Sequence, residues 1–120
     1  MRSDAEPPRV LRVLRQEAEE IKTTPFGSVG RIFRGEGIEA AWVRKQDEDI
    51  DPDWFSQAVV DLIVVVQGRL KVEFEGSDLS PCVLEPGDVL VLPANTRCRA
   101  YRWPRDAKEA TVFVAVYPAG

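Results

Sequence analysis

The stretch Asp61-Leu62-Ile63-Val64-Val65-Val66-Gln67-Gly68-Arg69-Leu70-Lys71-Val72-Glu73-Phe74 constrains the fold more than any other part of the chain. A run of mostly β-branched residues meets a glycine, after which apolar and polar residues alternate strictly. β-Branched side chains suit a pleated surface, and a period of two marks a strand with one face in the core. The pattern reads as two antiparallel strands joined by a tight hairpin. Further on, Pro86-Gly87-Asp88-Val89-Leu90-Val91-Leu92-Pro93 reads as another strand, opened by a Gly-Asp turn. Asp61 is the anomaly, a carboxylate entering an otherwise apolar strand.

The rest of the chain agrees with an all-β architecture. Strand patterns fall over residues 29–33, 38–44, 56–66, 69–75, 81–84, 88–92, 97–101 and 110–117, with turn signals between them. Eight or nine short strands at that spacing indicate a β-sandwich or barrel. One helix is expected, over residues 9–22: Val10, Leu11, Leu14, Ala18 and Ile21 share a stripe, and Pro7 and Pro8 suit its start. The expected organisation is therefore an N-terminal helical segment, 1–27, packed on a barrel, 28–120. Strand 61–66 is apolar on both faces, whereas a strand of an antiparallel sandwich ordinarily buries one. Its second face needs cover from the N-terminal helix or from another chain, and a homodimer through sheet faces is the expectation.

Charge and composition exclude several classes. Sixteen basic against twenty acidic residues, net −4, lack the concentrated basic face of a nucleic-acid binder. Arg97, Arg99, Arg102 and Arg105 do crowd together, and read as a solvated strand-and-turn face. No apolar run approaches the roughly 20 residues of a membrane span, and residues 1–8 lack the apolar core of a signal peptide, so a cytoplasmic location is the default. Two cysteines without CxxC spacing read as thiols rather than a disulfide framework, although a Cys82–Cys98 bridge is conceivable. Histidine is absent, which removes the commonest metal ligand and the usual general base. Asp47, Glu48, Asp49, Asp51 and Asp53 suggest a calcium loop, but Pro52 stands where the EF-hand order needs glycine.

The spacing of these pieces resembles that of the cupins, specifically small single-domain cupins. The family's first motif, G-x5-H-x-H-x3or4-E-x6-G, ends here in Asp61, six residues and Gly68, with Asp for Glu. The second, G-x5-P-x-G-x2-H-x3-N, begins here with Gly87, five residues and Pro93, and Asn95 stands at its second glycine. Asparagine tolerates the left-handed conformation that glycine would supply. The resemblance covers residues 38–117 and implies a double-stranded β-helix, or jelly-roll barrel. The departures bear on chemistry. The first motif's histidines should fall within Trp54-Phe55-Ser56-Gln57, the second motif's histidine aligns with Cys98, and its asparagine with Arg102. Three histidines and a glutamate hold the metal in metal-binding cupins. Asp61 and Cys98 alone fall short of the three or four ligands a transition metal wants, so no metal and no cofactor are expected.

By the alignment Asp61 points into the barrel, either as a desolvated acid or base or paired with an arginine or tyrosine. Cys98 reads as a small buried residue, or as a nucleophile that lacks its activating histidine. Trp42, Trp54, Phe55, Phe74, Tyr101 and Trp103 either line an aromatic pocket in place of the metal or simply fill the barrel. The expected function is metal-free binding of a small organic ligand by Trp42, Trp54, Ser56, Gln57, Asp61, Cys98 and Tyr101. The alternatives are an isomerase- or lyase-like enzyme using Asp61, and a structural protein with a closed barrel.

Overall fold

The computed structural model describes residues 7–46, 49–76 and 78–119. Among the described residues nine strands run in chain order: β1 Glu20–Thr24, β2 Gly27–Gly35, β3 Ile38–Lys45, β4 Asp61–Gln67, β5 Arg69–Phe74, β6 Cys82–Leu84, β7 Val89–Leu92, β8 Cys98–Trp103 and β9 Thr111–Pro118. They form a six-stranded sheet, β1-β2-β3-β9-β4-β7, and a three-stranded sheet, β6-β5-β8. The inner faces meet in one core, with Ile63, Val65 and Phe113 from the large sheet against Leu70, Val72, Leu84 and Cys98 from the small one. Asp47 and Glu48, part of the calcium-loop pattern, lie outside the described residues, as do residues 1–6 at the foot of the expected helix.

Two expectations are corrected. The helix over 9–22 is not formed. Only a single 3-10 turn, Val13–Arg15, occurs there. Arg12 supplies no side-chain cap, and Gln16, at φ 58°, takes the left-handed conformation that ends the turn. From Glu20 the β-branched Ile21, Thr23 and Thr24 extend and pair with β2 instead, Ile21 opposite Gly30 and Thr23 opposite Ser28. The supposed stripe finds no core: Val10, Leu14 and Ile21 are all exposed. Residues 20–24 thus belong to the sheet rather than to a separate helical segment.

The hairpin expected at Gly68 is not formed either. β4 and β5 are consecutive but unpaired, β4 hydrogen-bonding β7 and β9 while β5 bonds β6 and β8. The turn at Gly68 is therefore a corner that carries the chain from one sheet to the other. A β-bulge between Val65 and Gln67 bends the strand as it leaves the large sheet. Gly68 itself has φ 69°, and a Cβ there would lie 2.9 Å from the Ala110 carbonyl oxygen, so this position takes glycine. The alternation legible in sequence survives, because Ile63 and Val65 before the corner and Leu70 and Val72 after it all point into the same core.

Trp42 anchors the opposite, outer face of the large sheet. It lies opposite Gly30 on β2 and Val114 on β9, and none of its surface is exposed. Its indole occupies the space above Gly30, where an added Cβ would fall 2.1 Å from the ring. The indole N–H donates to the Glu17 carbonyl oxygen at 2.8 Å, which ties the N-terminal segment down onto this face.

Candidate functional site

Directly opposed residues of neighbouring strands share a face of a sheet. Ile63 lies opposite Ala115, and Ala115 opposite Ala41, so these point into the barrel, and so does Asp61, two residues before Ile63. Asp61 is only 4% exposed and pairs with Leu92 on β7. On its other side Tyr117 stands level with it, one step beyond the pair Leu62–Val116, and Tyr117 in turn faces Glu39. The Tyr117 hydroxyl donates to Glu39 Oε2 at 2.9 Å, and Arg34 Nε lies 3.5 Å from Glu39 Oε1. The mouth of the barrel thus carries one polar row across four strands: Arg34, Glu39, Tyr117 and Asp61.

The loop before β4 closes over that row. Phe55 forms an isolated bridge with Cys98, its N–H donating to Cys98 O at 2.7 Å and its own carbonyl accepting from Cys98 N at 2.8 Å. Two residues on, Gln57 O accepts from Asn95 N at 2.6 Å. The Gln57 side chain is thereby held so that Nε2 donates to Asp61 Oδ2 at 2.9 Å. Asp61 Oδ1 is buried with no hydrogen-bond partner. A buried carboxylate with one unfilled oxygen is costly, because the desolvation of that oxygen is not compensated.

Titration behaviour follows from this burial. Desolvation raises the Asp61 pKa above its ordinary 3.8, and the Gln57 hydrogen bond offsets only part of the rise. Cys98 is pushed up to about 11, first by burial and then by the negative charges of Asp61 and Cys82. A thiol with that pKa is almost wholly protonated near neutrality, which is the opposite of an activated nucleophile. Tyr117 is pushed up to about 12 by burial, by its hydrogen bond to Glu39 and by the nearby charges. Cys82 and Cys98 are both free thiols. They sit on β6 and β8, with β5 between, so their strands are about 9.6 Å apart and beyond the ~7 Å reach of a disulfide.

Asp61, Gln57 and Cys98 therefore come together, and the other candidates do not join them. Trp42 points to the outer face of the large sheet. On β8, Cys98 and Ala100 face the core, so Tyr101 and Trp103 face outward. There Tyr101 meets the Trp103 ring edge-on at 6.3 Å, and the ammonium of Lys71 lies 4.0 Å above Trp103. Trp54 belongs to the same outer face, stacked 4.4 Å under the Arg99 guanidinium, while Ser56 is exposed. Phe74 packs against the core beside Cys98, its partner across the sheet. The basic cluster is occupied: Arg97 pairs with Glu75 at 2.8 Å, Arg99 with Glu73 at 2.9 Å, and the buried Arg102 donates to the carbonyls of Arg105 and Ala107. Arg34, Glu39 and Tyr117 are the site residues that sequence reasoning missed. The only signal for them was alternation along 113–117, which places Tyr117 on the face of Phe113 and Ala115.

The donor set at the mouth does not suit a cupin metal. Among the described residues no three His, Cys, Asp or Glu side chains gather closely enough to hold one. Asp61 and Cys98 stand alone, and the Cys98 thiol resists deprotonation. At the other end of the barrel lies an open cleft of about 520 Å³, bordered by Gly68, Arg69, Glu85, Trp103 and Lys108. Among the described residues no helix is long and apolar enough to cross a membrane.

Comparison with solved structures identifies the architecture. A protein from Ralstonia eutropha JMP134, provisionally named a mannose-6-phosphate isomerase, superposes with a TM-score of 0.70 at 24% identity, covering 94% of this chain and 100% of that one. A cupin 2 conserved barrel domain protein from Salinispora arenicola CNS-205 gives 0.68 at 15% identity over 98% and 92% of the two chains. KdgF from Halomonas sp. gives 0.66 at 20% identity over 85% and 88%. The chain has the cupin fold. No protein-family model matches it, and no curated protein matches it in sequence.

Proposed function

We propose that this is a metal-independent cupin that binds a small polyhydroxylated molecule at the barrel mouth. The observation that carries the reading is Asp61 Oδ1, a buried acceptor with no donor, set in a row whose other members are Tyr117, Glu39 and Arg34. A ligand hydroxyl donating to Oδ1 would recover the uncompensated desolvation. Neighbouring hydroxyls would meet Glu39 and the Tyr117 oxygen. Entry requires the segment before β4 to shift, since it covers Asp61. That segment meets β8 through the Phe55–Cys98 bridge and the Trp54–Arg99 stack, and its Phe55 and Val60 are exposed.

The test is calorimetric titration with mannose and with mannose 6-phosphate, the sugar phosphate in the Ralstonia protein's name. Wild-type protein is expected to bind at least one of them, and Asp61→Ala to weaken that binding tenfold or more. Equal affinity in the variant would remove Asp61 from the site, and no binding of either probe would favour a closed, structural barrel. A second reading is an isomerase-like enzyme in which Asp61 exchanges a proton, supported by its raised pKa. Asp61→Asn separates the two: a binding protein has no turnover to lose, whereas an enzyme loses turnover while still binding.

A further inference from the structure

We propose that the cleft at the far end of the barrel is a second binding site, which takes a zwitterion with a flat apolar body, the chemistry of an aromatic α-amino acid. The cleft holds about 520 Å³, within the range of small-molecule sites. Its charged border is mixed, Arg69 and Lys108 against Glu85 and Glu109, and Trp103 and Pro104 supply its apolar part. Among the described residues none of these four charges forms an ion pair. Opposite charges thus share one opening without neutralising each other.

The walls of the cleft are held from behind. Leu70 and Val72 turn into the core, so Arg69 and Lys71 face outward, with Trp103 on β8 directly opposite Arg69. The Trp103 ring is fixed on two sides, by Tyr101 edge-on at 6.3 Å and by the Lys71 ammonium at 4.0 Å. The wall between β8 and β9 is set by the buried guanidinium of Arg102, which donates to the carbonyls of Arg105 and Ala107. A turn completes it, Ala107 N–H donating to Pro104 O at 3.0 Å. At the corner, the hydroxyl of the fully buried Thr111 donates to Arg69 O at 2.6 Å, and Gln67 Nε2 donates to Ala110 O at 3.0 Å. The Glu85 N–H donates to Asp88 Oδ2 at 2.8 Å. Buried polar groups that shape a surface recess in advance lower the cost of ordering it around a ligand.

The charge pattern selects the class of ligand. A simple anion would meet Glu85 and Glu109 as well as the two cations, and a simple cation would meet Arg69, Lys108 and Lys71. Lys71 already takes one face of the indole, so a cationic ligand stacking there would be repelled. A zwitterion places its carboxylate at Arg69 and Lys108 and its ammonium at Glu85 and Glu109, and both contacts are charge-assisted hydrogen bonds. Trp103 and Pro104 leave a flat apolar surface for the side chain, which favours a ring.

Titration of the full chain tests this. Its three tryptophans give three indole N–H signals in a nitrogen-15 spectrum, and Trp103→Phe identifies the one at the cleft. Phenylalanine is expected to shift that signal saturably and to leave those of Trp42 and Trp54 in place. By calorimetry, phenylpropionate, phenethylamine and alanine, each lacking one of the three recognised features, should bind at least about tenfold more weakly. Arg69→Gln with Lys108→Gln changes two exposed side chains, so the variant should retain its circular dichroism. Its affinity for phenylalanine should fall about tenfold or more, and the advantage over phenethylamine should disappear. Mannose and mannose 6-phosphate, the probes of the barrel mouth, should leave the Trp103 signal where it is. No saturable shift with phenylalanine would overturn the proposal, as would equal affinity for either singly charged analogue or unchanged affinity in the folded double variant. A shift confined to the Trp54 or Trp42 signal would overturn it equally.

Discussion

Replacing Trp42 by Ala is expected to lower the free energy of unfolding by about 3–5 kcal/mol, the range for truncating a fully buried aromatic side chain. At roughly 4 °C per kcal/mol for a domain of this size, the melting temperature falls by about 12–20 °C at fixed protein concentration. The reason lies in three contacts at once. The side chain has no exposed surface, it covers the bare backbone of Gly30, and its N–H holds Glu17 O. Trp42→Phe keeps most of the apolar burial and gives up the hydrogen bond, so it should cost far less. Gly30 supplies the cross-check. Gly30→Ala alone drives a methyl group into the indole and should cost about 1–3 kcal/mol. In the Trp42→Ala background the same change should cost nothing further, because the clash is gone. Urea denaturation of the four variants beside the wild type measures these losses. A loss below about 1 kcal/mol for Trp42→Ala would show that the N-terminal segment and β2 do not pack on this ring.

The second large effect has the opposite sign. Asp61→Asn should stabilise the protein at neutral pH, by about 1–3 kcal/mol, by removing a charge whose burial is only half compensated. The pH dependence follows from linkage. A carboxyl whose pKa is higher folded than unfolded favours folding when protonated, so its contribution is full below the ordinary value of 3.8 and is lost as pH rises through the folded pKa. The difference between variant and wild type should therefore be near zero in acid and grow as pH rises towards neutrality. Paired denaturation curves across that range check it. A variant less stable than wild type at pH 7 would mean that the charged form of Asp61 has partners beyond Gln57.

Much of the fold was legible because its signals are local. The Asp61–Gly68 and Gly87–Pro93 spacings locate β4 and β7, and the alternation of Leu70, Val72 and Phe74 shows which side of β5 is dry. Asp61 stood out because a carboxylate interrupts an aliphatic run, and the shared face of Asp61, Ile63 and Val65 follows from a period of two. What failed depended on partners distant in sequence. The helical stripe of Val10, Leu14 and Ile21 was a valid pattern, but Ile21 and the two threonines after it found a strand to pair with at Gly27–Gly35. Local periodicity cannot register that competition. A glycine between two strands looks the same at a hairpin and at a corner, and only the pairing of β4 with β9, some fifty residues on, distinguishes them. The polar row at the mouth was hidden for the same reason. Glu39 and Tyr117 are 78 residues apart, and their contact exists only through the β3–β9 register. Trp42 was misplaced by one step of parity: its neighbour Ala41 faces the barrel, and an indole on the outer face has no sequence mark of its own.

The barrel mouth is defined by the state of one carboxyl group. Asp61 occupies the position of a metal-binding carboxylate in the cupin pattern, yet among the described residues no ligand set forms around it, and it remains as a buried acid with one oxygen free. Carbon-13 NMR titration of the Asp61 side-chain carboxyl, assigned by its disappearance in Asp61→Asn, reads that state directly. The expected midpoint lies above the ordinary 3.8, in keeping with burial outweighing the Gln57 hydrogen bond. A midpoint at or below 3.8 would show that solvent or a positive charge reaches Asp61, and would contradict the buried, half-satisfied site.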